Sequence, residues 1–526
     1  MRLEKSLWIT VLDHADHRNT RPGRYAHGLR QGRSYDLENG TQIRRTLLSN
    51  AAKQAQGNLM PEPIYEDMQL ALDRQKKAFL AEGIVSAEAR IDRIDRAINI
   101  LKKHGSRLSD AMAADFGHRS WELSKQTDID GSIVPLKYAR KHLKNWMKPE
   151  KRKVMFPLGV LGARARLEFQ PLGVVGCISP WNFPVQLTFG PLAGVFAAGN
   201  RAMIKPSEYT AETSELMKSI FSEEFNEEEV AIFTGGPEVG TAFSRLTFDH
   251  LIFTGATSIG RHVMKAAAEN LVPVTLELGG KSPVIIGRSA DLKLAAANII
   301  AGKTMNAGQI CLAPDYVYLP EECCDEFVGQ ARACVSRMFP TIKDNPDYTS
   351  IVNERHYQRL QGYLEDAKAK GASLFELNPA KEDFSQQAHH RIPPTLVLDP
   401  SEDMHIMQDE IFGPILPIKR YRDVNEALDY VNGKDRPLGL YYFGEDKAEE
   451  KRVLTQTTSG GVTVNDVIMH VGQEDLPFGG IGNSGMGSYH GYDGFKNFSH
   501  AKSIFTTSKF VSKIAATMRP PYKRAS

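Results

Sequence analysis

The stretch HLIFTGATSIG, residues 250–260, joins a short apolar run to a helical pattern through a glycine turn. It belongs to a series of short apolar runs separated by helical segments: GVVGCI, RAMI, VAIFTG, HLIFTG, PVTLEL and SPVII. Buried strands that alternate with helices are typical of βαβ units in a parallel sheet. We therefore predict an α/β fold with a ligand at the carboxyl ends of these strands.

Regular secondary structure is also predicted on both sides of this series. The clearest helix is SAEARIDRIDRAINILKKHG, residues 86–105, with Ser86 as its N-cap and Gly105 as its end. A further α/β region is predicted from about residue 280 to 465. Residues 1–58 are rich in Arg, His, Asn and Gly without an apolar period, so we predict a disordered extension. An organelle-targeting leader is the weaker alternative for this segment, because acidic residues interrupt it. Met60 is an alternative start of the protein.

The composition disfavours several classes of protein. The 526 residues are 41% hydrophobic and 24% charged with a net charge of +2, as in a globular protein of two or three domains. Neither this charge nor any long basic run predicts a nucleic-acid partner. No apolar run reaches the roughly 20 residues of a membrane span, so we expect a cytoplasmic protein without a membrane anchor. The five cysteines lack CxxC spacing, and we predict neither a disulfide framework nor a metal site.

Two turns after predicted strands could hold a nucleotide. Gly255 and Gly260 flank a strand-to-helix turn, where backbone can approach a ligand and the helix N-terminus favours phosphate. Their spacing is not GxGxxG, and such glycines are often only structural, so both interpretations stay open. In IKPSE, Lys205 and Glu208 could hold ribose hydroxyls or phosphate, although a surface turn that opens a helix is the simpler explanation.

Three other side chains have chemistry that is suited to catalysis. Cys311 follows a helix that we predict to finish near Gly308, and a turn there would present the thiol. Such a thiol needs a base or electropositive surroundings to become a nucleophile, and packing is the alternative role. Glu277 ends a buried strand, which is costly unless the carboxylate is solvated, paired or functional. Asn182, between two prolines, could stabilise an oxyanion, or it could have only a structural role in the turn where it lies.

Seven motifs occur together in one order: SPWNFP, IKPSE, FTGATSIG, LELGGKSP, NAGQICLAPDY, EIFGPILP and PFGGIGNSGMGSYHG. Over roughly residues 60 to 510, their order and spacing resemble the NAD(P)-dependent aldehyde dehydrogenase superfamily. The ending SGMGSYHGYDGFKNFSH resembles its class 3 branch, and within that branch the bacterial coniferyl aldehyde dehydrogenases. The resemblance implies an aldehyde dehydrogenase-like α/β fold with a Rossmann-like cofactor domain, a catalytic α/β domain and a β-hairpin oligomerisation arm.

The resemblance also implies domain bounds and assembly. The NAD(P)-binding domain would span residues 59–278, interrupted by the hairpin at about 146–171, and the catalytic domain would span 279–465. Residues 466–510 would return to the cofactor domain and the arm, and 511–526 would form a C-terminal tail. Class 3 relatives are usually dimers, so we expect a homodimer.

The motifs imply a role for each matching residue. By this resemblance Cys311 is the nucleophile, Glu277 the general base and Asn182 the oxyanion-hole amide. The cofactor, NAD or alternatively NADP, would contact residues of several motifs: Ser179, Pro180, Trp181, Lys205, Glu208, Gly255, Ala256, Thr257, Ser258, Ile259, Gly260, Glu410 and Phe412.

The implied reaction is the oxidation of an aldehyde to a carboxylic acid. It would pass through a thiohemiacetal and a thioester at Cys311, with hydrolysis by water that Glu277 activates. We expect an aromatic substrate such as coniferyl aldehyde. The alternatives are a medium- or long-chain fatty aldehyde, transfer of the acyl group to CoA, and a non-catalytic binding protein on the same fold.

Overall fold

The computed structural model of the protein describes residues 62–516 and 519–520. The extension predicted over residues 1–58 lies outside the described residues. Of the predicted C-terminal tail, residues 511–516 belong to a helix. No helix in the described part of the chain is both long and apolar enough to cross a membrane.

The described residues contain sixteen α-helices. In chain order they are α1 (Glu62–Glu82), α2 (Ala87–Asp115), α3 (Trp121–Ser124), α4 (Gly131–Trp146), α5 (Gln186–Ala198), α6 (Ala211–Glu224), α7 (Pro237–Ser244), α8 (Thr257–Glu269), α9 (Leu292–Thr304), α10 (Cys324–Met338), α11 (Glu354–Ala369), α12 (His405–Gln408), α13 (Val424–Asn432), α14 (Lys447–Gln456), α15 (Gly491–Asn497) and α16 (Lys509–Ala516).

The same residues contain sixteen strands. In chain order they are β1 (Glu150–Arg152), β2 (Arg164–Pro171), β3 (Val174–Ile178), β4 (Arg201–Lys205), β5 (Val230–Ile232), β6 (His250–Thr254), β7 (Val274–Glu277), β8 (Pro283–Ile286), β9 (Tyr316–Pro320), β10 (Ser373–Glu376), β11 (Thr395–Leu398), β12 (Ile415–Tyr421), β13 (Gly439–Phe443), β14 (Gly461–Val464), β15 (Gly485–Met486) and β16 (Ser499–Thr506).

The predicted apolar runs form a six-stranded sheet in the order β15-β7-β6-β3-β4-β5. Its pairs are parallel except that β15 runs antiparallel to β7. Alternate residues of β3 face opposite sides: Val174 packs in a core with α1, α7 and α8, and Val175 packs with α2 and α5. Helices therefore cover both faces, as the apolar runs require, and the parallel strands end at one edge.

The second region predicted as α/β forms a seven-stranded sheet in the order β10-β11-β12-β9-β8-β13-β14. Every pair is parallel except β10 with β11. In β8, Val284 packs against α9 and α10, and Ile285 packs against α13 and α14 on the other face. The chain passes from the first sheet to the second between Glu277, which ends β7, and Pro283, which begins β8.

A third sheet is an antiparallel arm of β1, β2 and β16. The stretch ARLEFQPLG begins within β2, and β16 pairs with β2 along eight residues. The predicted fold class, two α/β units with a β-hairpin arm, is thus confirmed. In the segment that precedes β16, β15 belongs to the six-stranded sheet and not to the arm.

One predicted boundary is wrong. Ser86 does cap α2, since its hydroxyl accepts a hydrogen bond from the backbone N–H of Ala89 at 3.2 Å. The helix passes through Gly105, however, and ends at Asp115. Leu108 and Met112 extend its buried face beyond the glycine. Their burial outweighs the roughly 1 kcal/mol that a glycine costs inside a helix.

Candidate active site

A cleft of about 850 Å³ lies where loops from the two large sheets meet. The six-stranded sheet contributes the loops after β3, β6 and β7, and the other side contributes α11 and the loops before β9 and β12. Eleven of the residues that the sequence predicted for the site line this cleft: Pro180, Trp181, Asn182, Gly255, Ala256, Thr257, Ser258, Glu277, Cys311, Glu410 and Phe412.

Cys311 reaches the cleft because the chain reverses sharply after α9. This helix ends at Thr304, four residues before the predicted end at Gly308. Asn306 has φ 49°, Ala307 φ 51° and Gly308 φ 75°, so three successive residues are left-handed. A Cβ at position 308 would also collide with the carbonyl oxygen of Gly413, which explains the glycine.

A network of amide hydrogen bonds holds the Cys311 loop in place. The Gln309 side-chain nitrogen donates to the carbonyls of Asn306 and Ser350, both at 3.0 Å. The Gln309 side-chain oxygen accepts the N–H of Val352 at 3.0 Å. Gln309 is fully buried, so this satisfied side chain ties the loop to the segment before α11 and limits its movement.

The same network includes Asn182. Its side-chain nitrogen donates to the carbonyl of Gln309 at 3.1 Å, two residues before Cys311. Its own backbone carbonyl accepts the Asn306 side-chain nitrogen at 3.1 Å. Because a primary amide has two N–H bonds, the Asn182 side chain retains a second donor for an oxyanion. Asn182 is only 3% exposed, so little water competes for that donor.

Glu277 ends β7 and is almost fully buried, with 2% exposure. Burial raises the pKa of its carboxyl to about 8, and a hydrogen bond from the backbone of Gly480 opposes the shift. Its Oε1 atom makes no hydrogen bond within the described residues. A buried carboxyl with a free oxygen and a pKa near neutrality is suited to proton transfer.

The thiol of Cys311 is disfavoured as a thiolate. Burial, then the charges of Glu277 and Glu410, raise its pKa above the ordinary value. At neutral pH the cysteine therefore carries its proton, and it can attack a substrate only as a proton acceptor removes that proton. Glu277 and Glu410 are the carboxyls close enough to affect its charge.

Glu410 approaches from the opposite sheet. Burial, then the charge of Asp315, raises the pKa of its carboxyl to about 8. The carboxylate lies against Gly279, where a Cβ would collide with both of its oxygens. Phe412, with φ 47°, places its ring 5.3 Å from that of Trp181 at an edge-to-face angle of 72°.

Arg359 of α11 supports this loop, and the sequence did not single it out. Its guanidinium donates to the carbonyl of Ile411 at 2.9 Å and to that of Phe412 at 3.4 Å. His356 and Tyr363 of the same helix also line the cleft. They lie three and four residues from Arg359 and thus on one helix face, which is the only sequence signal that could have indicated them.

The turn after β6 brings the N-terminus of α8 to the cleft. Ala256 is the N-cap of α8 and supplies no side-chain cap, so the first N–H groups of this helix face the cleft uncapped. Gly260 does not line the cleft; a Cβ there would lie 2.7 Å from the Leu278 side chain. Ile259 is 51% exposed and also lies outside the cleft lining. Residues 255–258 are thus the part of this motif that can contact a ligand.

The remaining predicted cofactor residues lie beside the cleft lining. Lys205 at the end of β4 is buried, and its Nζ pairs with Glu208 Oε2 at 2.9 Å. Ser179 donates its backbone N–H to the Lys205 carbonyl at 3.1 Å and shares a hydroxyl hydrogen bond with Thr188 at 2.7 Å. Ser179 thus joins the ends of β3 and β4, which positions the lysine near the cleft.

The chain is similar to known proteins over most of its length. The profile described as the aldehyde dehydrogenase family matches residues 42–504. A probable coniferyl aldehyde dehydrogenase of Caulobacter vibrioides is 64% identical over 452 residues, covering 86% of this chain and 93% of that protein. The coniferyl aldehyde dehydrogenase of a Pseudomonas species is 55% identical over 460 residues, covering 88% and 95%.

A solved structure also resembles the fold. The structure titled as the substrate-bound state of Staphylococcus aureus AldH matches with a TM-score of 0.79 and 35% identity. The match covers 86% of this chain and 99% of that one. Together these likenesses extend over the cleft and both large sheets. The chain belongs to the aldehyde dehydrogenase family.

Proposed function

We propose that this aldehyde dehydrogenase oxidises an aromatic aldehyde of the coniferyl type to its carboxylic acid, with NAD or NADP as the hydride acceptor. The observation that carries the proposal is the meeting of Cys311, Glu277 and Asn182 in one cleft. The 64% identity to a probable coniferyl aldehyde dehydrogenase supports the aromatic substrate.

The first chemical step forms a bond between the Cys311 sulfur and the aldehyde carbon. The thiol proton passes to water in the cleft and on to solvent as the sulfur attacks, so that Glu277 stays free for hydrolysis. The carbonyl oxygen becomes an oxyanion, which accepts hydrogen bonds from the Asn182 side chain and the Cys311 backbone N–H. Bound NAD or NADP supplies an acceptor for the hydride that leaves the same carbon, and a thioester remains on Cys311.

The second step breaks the carbon–sulfur bond. Glu277 takes a proton from a water molecule, whose oxygen attacks the thioester carbon. The Asn182 amide again stabilises the oxyanion, and Glu277 passes this proton to the leaving Cys311 sulfur as the carboxylic acid forms. Glu277 is then ionised again and Cys311 is again a thiol, so that the residues of the cleft regain their starting state.

The cofactor would contact both sides of the cleft. The paired Lys205 and Glu208 would hold the adenosine ribose, and the uncapped N-terminus of α8 would bind the pyrophosphate. Glu410 and Phe412 would hold the nicotinamide half. The Glu208 carboxylate can bond ribose hydroxyls and repels a 2′-phosphate, which favours NAD over NADP.

The same proposal assigns domains and assembly. The six-stranded sheet would be the NAD(P)-binding domain, and the seven-stranded sheet with the Cys311 loop would be the catalytic domain. The arm of β1, β2 and β16 would join two copies into a homodimer. All five cysteines are free, which favours the reducing environment of the cytoplasm.

The test is a comparison of kcat/KM for coniferyl aldehyde, benzaldehyde and octanal with NAD and with NADP. We expect coniferyl aldehyde with NAD to give the largest value and the free acid to be the product. A preference for octanal would contradict the aromatic assignment. A product that forms only with added CoA would contradict hydrolysis by Glu277-activated water.

A further inference from the structure

A buried arginine lies behind the loop that carries Asn182. Arg119 follows α2, and its side chain is fully buried. Its Nη1 donates to the backbone carbonyl of Asn182 at 2.8 Å, and its Nη2 donates to Asp128 Oδ2 at 2.6 Å. Arg119 lies outside the lining of the cleft, so it contacts the Asn182 loop from the protein interior.

Asp128 holds the other end of the same short segment. Its Oδ1 accepts the backbone N–H of Val185 at 3.1 Å and of Gln186 at 3.2 Å. These groups lie at the start of α5, where backbone N–H groups lack partners within the helix. The Arg119–Asp128 pair therefore clamps residues 182–186 at both ends.

The Arg119–Asp128 ion pair occupies a buried space that apolar side chains could also fill. Both side chains are fully buried, and the guanidinium lies 5.1 Å from the centre of the Phe116 ring and 5.0 Å from that of Phe183. Its Nε finds no hydrogen-bond partner among the described residues. Apolar side chains of similar volume often stabilise a fold as well as a buried ion pair does. Only directional donors and acceptors, however, can fix the position of the Asn182 carbonyl.

We infer that Arg119 and Asp128 are positioning residues for the oxyanion amide of Asn182. This inference rests on the proposed function, in which Asn182 stabilises the oxyanion. The Asn182 carbonyl accepts hydrogen bonds from Arg119 and from Asn306, and its side chain donates to Gln309. The ion pair thus fixes the backbone from which the amide projects, and Gln309 aligns that amide with the cysteine loop. A displacement of about 1 Å can cost about 100-fold in rate.

The test uses substitutions that keep the residue sizes. Arg119→Lys keeps the charge but loses the planar fork that donates to Asn182 and Asp128 together. The matched control is Arg93→Lys, because Arg93 is also a buried arginine paired with carboxylates: Glu82 at 2.7 Å and Glu229 at 3.2 Å. Among the described residues, Arg93 makes no hydrogen bond or ion pair with the Asn182 loop, and it does not line the cleft.

We expect Arg119→Lys to lower kcat/KM for the aldehyde by about 10- to 100-fold while the Kd for NADH stays within about twofold. Arg93→Lys should leave both values within about twofold of the wild type. If Arg119→Lys does not fold, Asp128→Asn provides the same comparison, because it keeps the acceptor for Val185 and Gln186 and removes the charge that pairs with Arg119.

A double-mutant cycle separates positioning from general damage. In an Asn182→Ala background, the second substitution should cause no further loss of kcat/KM, because the group that Arg119 positions is already absent. Losses that multiply in the double mutant, or an Arg119→Lys variant that behaves like Arg93→Lys, would overturn the inference. A wild-type protein that oxidises no aldehyde would instead contradict the proposed function.

Discussion

The end of β7 and the loop before β12 each place one glutamate beside Cys311. Glu277 is buried and Glu410 is half-buried, and the pKa of each carboxyl is raised to about 8. Glu277 belongs to a strand with hydrogen-bonded neighbours on both sides, β6 and β15. Glu410 belongs to a loop, is supported through its neighbours by Arg359, and lies against Gly279. The similar pKa values of Glu277 and Glu410 therefore do not mean that the two carboxyls have the same role.

The surroundings of the two carboxyls suggest a division of labour. The Oε1 of each carboxyl makes no hydrogen bond within the described residues, so the difference lies in the backbone. Two neighbouring strands set the backbone position of Glu277, as a base that must contact water at one point requires. Glu410 shares its loop with Phe412, which lines the cleft beside Trp181. We expect Glu277 to act in hydrolysis and Glu410 in cofactor binding, and the experiments below test this difference.

The largest effect should come from the cysteine between the two carboxyls. Cys311→Ala removes the sulfur that forms the covalent intermediate, so aldehyde-dependent NADH formation should fall by about 10⁴-fold or more. Cys177→Ala is the control, because Cys177 is buried in β3 and does not line the cleft. Activity above a few per cent in Cys311→Ala would contradict a cysteine nucleophile, and with it the roles assigned to both carboxyls.

The next test compares the carboxyls directly. Glu277→Gln should form the thioester but hydrolyse it slowly, because the amide cannot accept a proton from water. Rapid mixing should then show a burst of NADH, followed by turnover lowered by about 10²- to 10⁴-fold. Glu410→Gln should raise the KM for NAD and should not accumulate the acyl-enzyme. If Glu410→Gln accumulates the acyl-enzyme and Glu277→Gln does not, the two assignments are reversed.

The pH dependence of hydrolysis should also distinguish the carboxyls. Burial raises the pKa of Glu277 to about 8, so below that pH the group is protonated and cannot act as a base. The rate of thioester hydrolysis should rise about tenfold per pH unit up to about pH 8 and then level. Stopped-flow measurement should find this profile in the wild type and in Glu410→Gln. A profile that persists in Glu277→Gln would contradict the assignment of the base.

A glycine substitution tests the placement of Glu410 without changing the carboxyl itself. In Gly279→Ala the new Cβ would collide with the Glu410 carboxylate, which is the mobile end of a flexible side chain. The glutamate should move away, and the KM for NAD should rise by roughly tenfold while NADH still forms at saturating NAD. Gly362→Ala in α11 is the control, since a Cβ there meets no atom within 4 Å. An unchanged KM for NAD in Gly279→Ala would contradict a role in cofactor binding for Glu410 at its present position.

The smallest effect concerns stability. A carboxyl whose pKa is raised from 4.5 to about 8 in the folded protein favours folding at low pH, and this contribution is lost as the pH rises through that interval. The ionised Glu277 then destabilises the fold by an amount on the order of a few kcal/mol. Glu277→Gln should therefore raise Tm by a few degrees at pH 9 and change it little at pH 5. Glu445→Gln, on an exposed turn, is the control, and an equal Tm change at both pH values would contradict burial as the cause.

Much of the fold follows from local patterns in the sequence. The apolar runs from 173 to 286 predict strands because stretches of four to six residues, mostly apolar, bury both faces of a parallel sheet. The structure has strands in each of these runs. Helix ends were harder to predict, because Gly105 is packed inside α2 and a left-handed turn after Thr304 ends α9 early. Both outcomes depend on contacts with distant residues.

The sequence by itself determined the α/β class, the family resemblance and the chemical candidates, because strand periodicity and motif residues are local properties. Only the tertiary structure decided that Asn182, Glu277 and Cys311 share one cleft, and that Arg119, Arg359 and Gln309 hold the loops around it. Those supporting residues form hydrogen bonds to backbone carbonyls far away in sequence, and a backbone carbonyl leaves no signature in the residue that it belongs to. The raised pKa values likewise depend on burial, which folding alone creates.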